Sequence, residues 1–218
     1  MDAGEKVPPA LITDLYQSFS SKEPYTLYPD VQKFFLELQK YKIAGKANDL
    51  PWPFKRIVVG IVSNSDDRVP GILQSLGLQV GSRRAGTSSN VETHSSFGND
   101  IDFVVLSYDV GHEKPDHRMF EAATSLLSEM PADDGGQLNP DDFENLYVGD
   151  ELKKDYEGAR RVGWHSVLLD RNGVMDRARG FRFGRVGLED ENGSEHKVLM
   201  ARSLLDLELW QPFRIDET

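Results

Sequence analysis

The sequence predicts an α/β fold, a Rossmann-like parallel sheet with flanking helices. Three observations carry that expectation. Short apolar runs rich in β-branched residues recur along the chain, segments of helical periodicity lie between them, and polar residues follow several runs directly. Runs that are apolar throughout, rather than alternating, are what strands buried on both faces look like, and alternation of such strands with helices implies parallel crossovers.

The elements follow in order. Asp30 is placed to cap a helix whose Val31, Phe34, Phe35 and Leu38 fall at i, i+3, i+4 and i+7, a single apolar stripe. Ile57-Val58-Val59-Gly60-Ile61-Val62 reads as a first strand running into the polar turn Ser63-Asn64-Ser65. Asp67 precedes a helix bearing Val69, Ile72, Leu73 and Leu76, closed by Gly77. Residues 81–100 are small and polar without periodicity and read as a loop insertion. Phe103-Val104-Val105-Leu106 is the next strand, and Pro115 suits the first turn of a helix carrying Met119, Phe120, Ala123, Leu126 and Leu127. Leu146-Tyr147-Val148 and Ser166-Val167-Leu168-Leu169 are further strands, separated by a helix from Asp155 to Val162 that ends at Gly163, a residue suited to a left-handed cap. Residues 171–196 are rich in Gly, Arg and acids and read as a polar loop, and Lys197-Val198-Leu199-Met200 is a weaker strand signal.

Composition narrows the function. Of the 218 residues, 25 are Lys or Arg and 36 are Asp or Glu, a formal charge of −11. That balance argues against sequence-independent nucleic-acid binding and against anionic membrane surfaces, both of which need a basic footprint. With no cysteine, disulfides, thiolate zinc sites and cysteine nucleophiles are excluded. The chain has no apolar run of membrane-spanning length and no signal-peptide core at Met1-Asp2-Ala3-Gly4-Glu5, so an intracellular protein, cytoplasmic or nuclear, is expected.

Open α/β sheets bind ligands beyond the carboxyl ends of their strands. There, Ser63 and Asn64 offer a hydroxyl and backbone N–H groups that suit a phosphate, or else form an ordinary helix cap. Lys114 precedes a helix N-terminus, where a cation opposes the helix dipole unless an anion is near; a solvated surface lysine is an equal alternative. Asp150 and Asp155 flank one strand-to-helix turn and together suit a hard cation such as Mg²⁺, although Asp155 could simply cap the helix. The five histidines show no ligand spacing.

A hydroxyl, a lysine and an acidic pair in this order resemble the haloacid dehalogenase (HAD) superfamily. Gly60-Ile61-Val62-Ser63-Asn64 is similar to its second motif, Val110-Gly111-His112-Glu113-Lys114-Pro115-Asp116 to its third, and Tyr147-Val148-Gly149-Asp150 with Asp155-Tyr156-Glu157-Gly158-Ala159 to its fourth. Tyr28-Pro29-Asp30-Val31 and Leu168-Leu169-Asp170-Arg171 resemble the branch with a small helical cap. The resemblance implies a HAD-like core over 28–218 and only a remnant of the helical cap, with its linker, over 1–27. It implies phosphate binding by Ser63, Asn64 and Lys114, Lys114 as a catalytic residue balancing charge, Mg²⁺ held by Asp150 and Asp155, and a phosphatase-type reaction on a small phosphorylated metabolite. The family's first motif, a strand ending in Asp-x-Asp that supplies the nucleophile, is not found. Asp100-Ile101-Asp102 matches its letters without a buried strand before it, and Asp14 has Tyr16 where the second carboxylate should stand. The chain as given is therefore expected to bind Mg²⁺ weakly and to be inactive, being either a fragment of a longer enzyme or a genuinely short protein. The alternative is a non-catalytic anion-binding or regulatory pseudoenzyme. A generic nucleotide-binding domain would need a glycine-rich phosphate loop that the sequence lacks. Substrate and oligomeric state are left open.

Overall fold

The structure, a computed structural model, describes residues 7–44, 54–87, 98–132, 135–175, 180–189 and 195–212. Its helices are α1 (Pro9–Phe19), α2 (Pro29–Ala44), α3 (Val69–Ser75), α4 (Ser107–Val110), α5 (His117–Ser128) and α6 (Gly158–Arg161). Its strands are β1 (Gly60–Ser63), β2 (Val80–Arg84), β3 (Ile101–Leu106), β4 (Leu146–Gly149), β5 (His165–Leu169), β6 (Phe183–Glu189) and β7 (Glu195–Ala201). The expected α/β class is observed, with parallel strands flanked by helices.

The sheet is divided. One part has the order β1-β3-β2, all parallel; the other has the order β4-β5-β7-β6, parallel except for the β6–β7 hairpin. β3 is the centre of the first part, and all six of its residues are buried, which is why its sequence shows no alternation. Helix α5 lays Met119, Phe120, Ala123, Leu126 and Leu127 across both parts. One core cluster joins them to Val62, Phe103 and Val105 of the first sheet and to Tyr147 of β4. Asp116 caps α5 by accepting from the Arg118 amide at 3.0 Å, so Pro115 lies just before the helix rather than in its first turn.

Several expectations are corrected. Only Gly60–Ser63 of the first apolar run forms a ladder strand. At its start the Val59 amide donates to the side-chain carboxylate of Asp102 on β3 (2.8 Å) instead of to a backbone carbonyl. The stretch 81–100 holds most of β2, an edge strand with Ser82 exposed and Arg84 turned to Asp109, while 88–97 lie outside the described residues. The stretch 171–196 contains β6 and the start of β7, paired antiparallel from Phe183↔Ala201 to Glu189↔Glu195; residues 176–179 and 190–194 are not described. The expected weaker strand at 197–200 thus belongs to a hairpin. Asp30 sits inside the first turn of α2, and its carboxylate is taken by the Leu204 amide (2.7 Å), the Ser203 hydroxyl (3.0 Å) and the Arg171 guanidinium. The helix expected from Asp155 begins earlier, as a π-helical turn over Leu152–Glu157 that runs into α6, with Gly163 at a φ of 82° behind it. Helix α1 buries none of its residues.

Candidate functional site

β1 and β4 both deliver their carboxyl ends to the same region, and the polar residues that follow them meet there. Asn64 takes hold of Lys114 at both backbone atoms: its Oδ1 accepts from the Lys114 amide (2.7 Å) and its Nδ2 donates to the Lys114 carbonyl (3.1 Å). The turn after β1 is itself fixed from β3's exit, since the Ser65 carbonyl accepts from the Tyr108 amide (3.2 Å) and the Ser107 hydroxyl (3.2 Å). The Ser63 and Ser65 hydroxyls lie 2.7 Å apart.

Held in this way, the Lys114 ammonium donates to Asp155 Oδ1 (2.7 Å) and to the Tyr147 hydroxyl (2.7 Å). Tyr147 in turn donates to the Val62 carbonyl of β1 (2.8 Å), a bridge from one sheet to the other. Asp155 Oδ2 accepts from the Glu151 amide (3.0 Å). Both carboxylate oxygens are thus engaged, in a side chain only 5% exposed opposite a lysine 11% exposed. Charge-assisted bonds of this length in a desolvated setting are the strong kind. Gly149 is demanded by this arrangement, because a Cβ there would stand 2.4 Å from the Asp155 carboxylate. Burial pushes the Tyr147 phenol far above its ordinary range, and the negative charges of Asp155, Asp150 and Glu151 push it further, so it remains a donor.

The sequence-selected residues therefore converge, though unequally. Asn64, Lys114 and Asp155 form one bonded unit. Ser63 ends the strand beside them with its hydroxyl turned to Ser65. Asp150 lies in the same turn as Asp155 but is exposed, and it makes no hydrogen bond to a described residue. Among the described residues no group of three or more metal-binding side chains occurs. What the turn offers a cation is two carboxylates, the partial set that Mg²⁺ commonly completes with water and phosphate oxygens.

A family model described as HAD-hydrolase-like matches residues 112–183, the stretch from the Lys114 loop through α6 and β5 to the start of β6. An uncharacterized protein of Saccharomyces cerevisiae, YMR130W, is 29% identical over 172 residues, which is 78% of this chain and 47% of that protein. Haloacid dehalogenase-like hydrolase domain-containing protein 3 of Bos taurus is 32% identical over 111 residues, 51% of this chain and 32% of the relative. The crystal structure of a HAD phosphatase from Thermococcus onnurineus shares the fold with a TM-score of 0.52 at 19% identity, covering 91% of this chain and 63% of that one. The chain is similar to the HAD superfamily in sequence and in fold. It spans about half the length of the first curated relative it matches.

In this HAD-like chain the residue that the sequence reading passed over is Tyr147. It was read as one position of an apolar strand, yet its hydroxyl is the hinge between β1, Lys114 and, through Lys114, Asp155. The signal was available: a tyrosine in a strand buried on both faces must find a partner for its hydroxyl. The two rejected Asp-x-Asp candidates also have definite places. Asp102 is buried and paired with Lys42 (2.9 Å), and it bonds the Val59 amide at the amino end of β1, away from Lys114. Asp14 lies on α1, exposed.

Proposed function

We propose that this HAD-like chain carries the phosphate-gripping side of a phosphatase-type site, acting on a small phosphorylated molecule. The observation that carries the reading is Lys114, fastened through its backbone by Asn64 and presented at the ends of β1 and β4 with its ammonium against Asp155. An incoming phosphate would exchange part of that ion pair for its own oxygens, with the Ser63 hydroxyl and the β1 turn as further donors. Asp150 and Asp155 would hold Mg²⁺, which would supply neutralisation of charge on the phosphate oxygens. Because Asp155 is already neutralised by Lys114, cation binding should be weak without phosphate. The phosphatase named among the structural relatives supports the substrate class, and the cysteine-free composition supports an intracellular setting. Helix α1, which buries nothing, suits a cap element that closes over such a site.

The same reading assigns hydrolysis to an acceptor carboxylate that these residues do not supply, so the chain as given binds phosphate without turning it over. The engagement of both Asp155 oxygens favours this non-catalytic form for residues 1–218. The test is calorimetric titration of inorganic phosphate with Mg²⁺ into the wild type and Lys114→Ala, paired with an aryl-phosphate turnover assay. Loss in the variant of the Mg²⁺-dependent part of the phosphate binding, with no turnover in either protein, is the expected result. Equal binding in both, or Mg²⁺-dependent turnover by the chain alone, would refute it.

A further inference from the structure

β5 and β7 run side by side but pair over only two positions, Leu168↔Met200 and Leu169↔Ala201. Carried backward, the same register would set Ser166 against Val198 and His165 against Lys197, yet no ladder forms there. The amino-terminal halves of the strands diverge into a wedge. The Leu199 amide, released from the ladder, donates instead to the Tyr156 hydroxyl (3.1 Å). A cavity of about 70 Å³ occupies the opening, lined by Tyr156, Arg160, His165, Ser166, Arg185 and Lys197.

Two features of this cavity have no structural explanation. The first is the Ser166 hydroxyl, in a residue 4% exposed, which has no hydrogen-bond partner among the described residues. A buried unpaired hydroxyl costs stability, and native structures contain few. The second is charge. In a chain with a net charge of −11, two arginines, a lysine and a histidine line one small opening. Arg160 and Lys197 make no ion pair with any described residue. Glu144 stands at this end, its carboxylate 3.1 Å from His165 Nε2. Tyr156 and the split ladder form the floor.

We propose that the wedge is a second anion site, which binds a phosphate-sized oxyanion with Ser166 as the buried donor and Arg160 and Lys197 as the neutralising cations. It is separate from the Lys114 site. His165 and Ser166 open β5, which runs parallel to β4, whereas Asp150 follows the carboxyl end of β4. The two sites therefore lie at opposite ends of the same strands. An oxyanion here would satisfy the serine and join the two strand halves that do not pair, so binding should also tighten the second sheet.

The test is an amide-resolved NMR titration of residues 1–218 with inorganic phosphate in the absence of Mg²⁺. The expected result is saturable shifts at Ser166, Lys197 and Leu199, with Kd raised about tenfold or more in Arg160→Ala/Lys197→Ala, as the loss of charge-assisted bonds predicts. Ser166→Ala, which leaves those surface charges in place, should weaken the same site about fivefold, the worth of one hydrogen bond. Because Arg160 and Lys197 are exposed, the double variant should melt with the wild type in phosphate-free buffer. Shifts confined to the Ser63–Lys114 region, or a double variant that binds phosphate like the wild type, would overturn the proposal.

Discussion

Replacing Tyr147 by phenylalanine removes one oxygen and two hydrogen bonds while keeping the ring, which packs edge-on against Phe120 at 5.4 Å. The bond to Val62 is the costlier loss. It is buried, and its removal takes a donor from a carbonyl on the edge of β1, a penalty of about 1–3 kcal/mol. The bond from Lys114 is partly replaceable, because the ammonium keeps Asp155, so about 1 kcal/mol is assigned to it. The sum is roughly 2–4 kcal/mol, or about 4–15 °C in melting temperature for a chain of this size. Urea unfolding at neutral pH measures it directly, and the denaturant slope should stay unchanged because the same surface is exposed on unfolding. A Tyr147→Phe variant within about 0.5 kcal/mol of the wild type would show that the hydroxyl is not the link between the two sheets.

Two further substitutions separate the supports of the site. Gly149→Ala places a Cβ 2.4 Å from the Asp155 carboxylate; it should cost about 1–3 kcal/mol and lower phosphate affinity together with stability, measured by urea unfolding and calorimetry. Lys42→Met should show a pH-dependent cost. Burial raises the Asp102 carboxyl above its ordinary range, against the pull of Lys42 and the Val59 amide, so the folded chain holds that proton more readily than the unfolded one. Ionised Asp102 therefore penalises folding above its folded-state pKa, and the penalty fades as pH falls through that value toward the unfolded one. Without Lys42 the variant should lose about 3–5 kcal/mol near neutrality and distinctly less near pH 5, compared by urea midpoints at the two pH values; an equal loss at both would refute the linkage.

Much of this was legible in the sequence, and the remainder was hidden for identifiable reasons. β3, β4 and β5 announced themselves because strands covered on both faces must be apolar throughout. β2 and β6 did not, since edge strands bearing Gly, Arg and Ser satisfy only one face and look like loop. The Asn64–Lys114–Asp155 unit was found as letters in the right order. The manner of its assembly was not, because a side-chain amide clamping a backbone 50 residues away leaves no periodic trace. Asp30 misled in the opposite way: a good capping residue was drawn off by Leu204 and Arg171, partners more than 140 residues distant.

The division of the sheet has a mechanical consequence. A continuous ladder shares opening and closing along its backbone hydrogen bonds, and cooperative units of amide exchange tend to follow such ladders. Here the β1-β3-β2 and β4-β5-β7-β6 ladders have no paired strand in common. Among the described residues they are spanned by a phenol reaching a carbonyl, an ammonium reaching a carboxylate, and the apolar faces of α5 and α2, each packed on both. The polar part of the joint is therefore side chain rather than ladder, and the groups that make it are those that the proposed phosphate would meet.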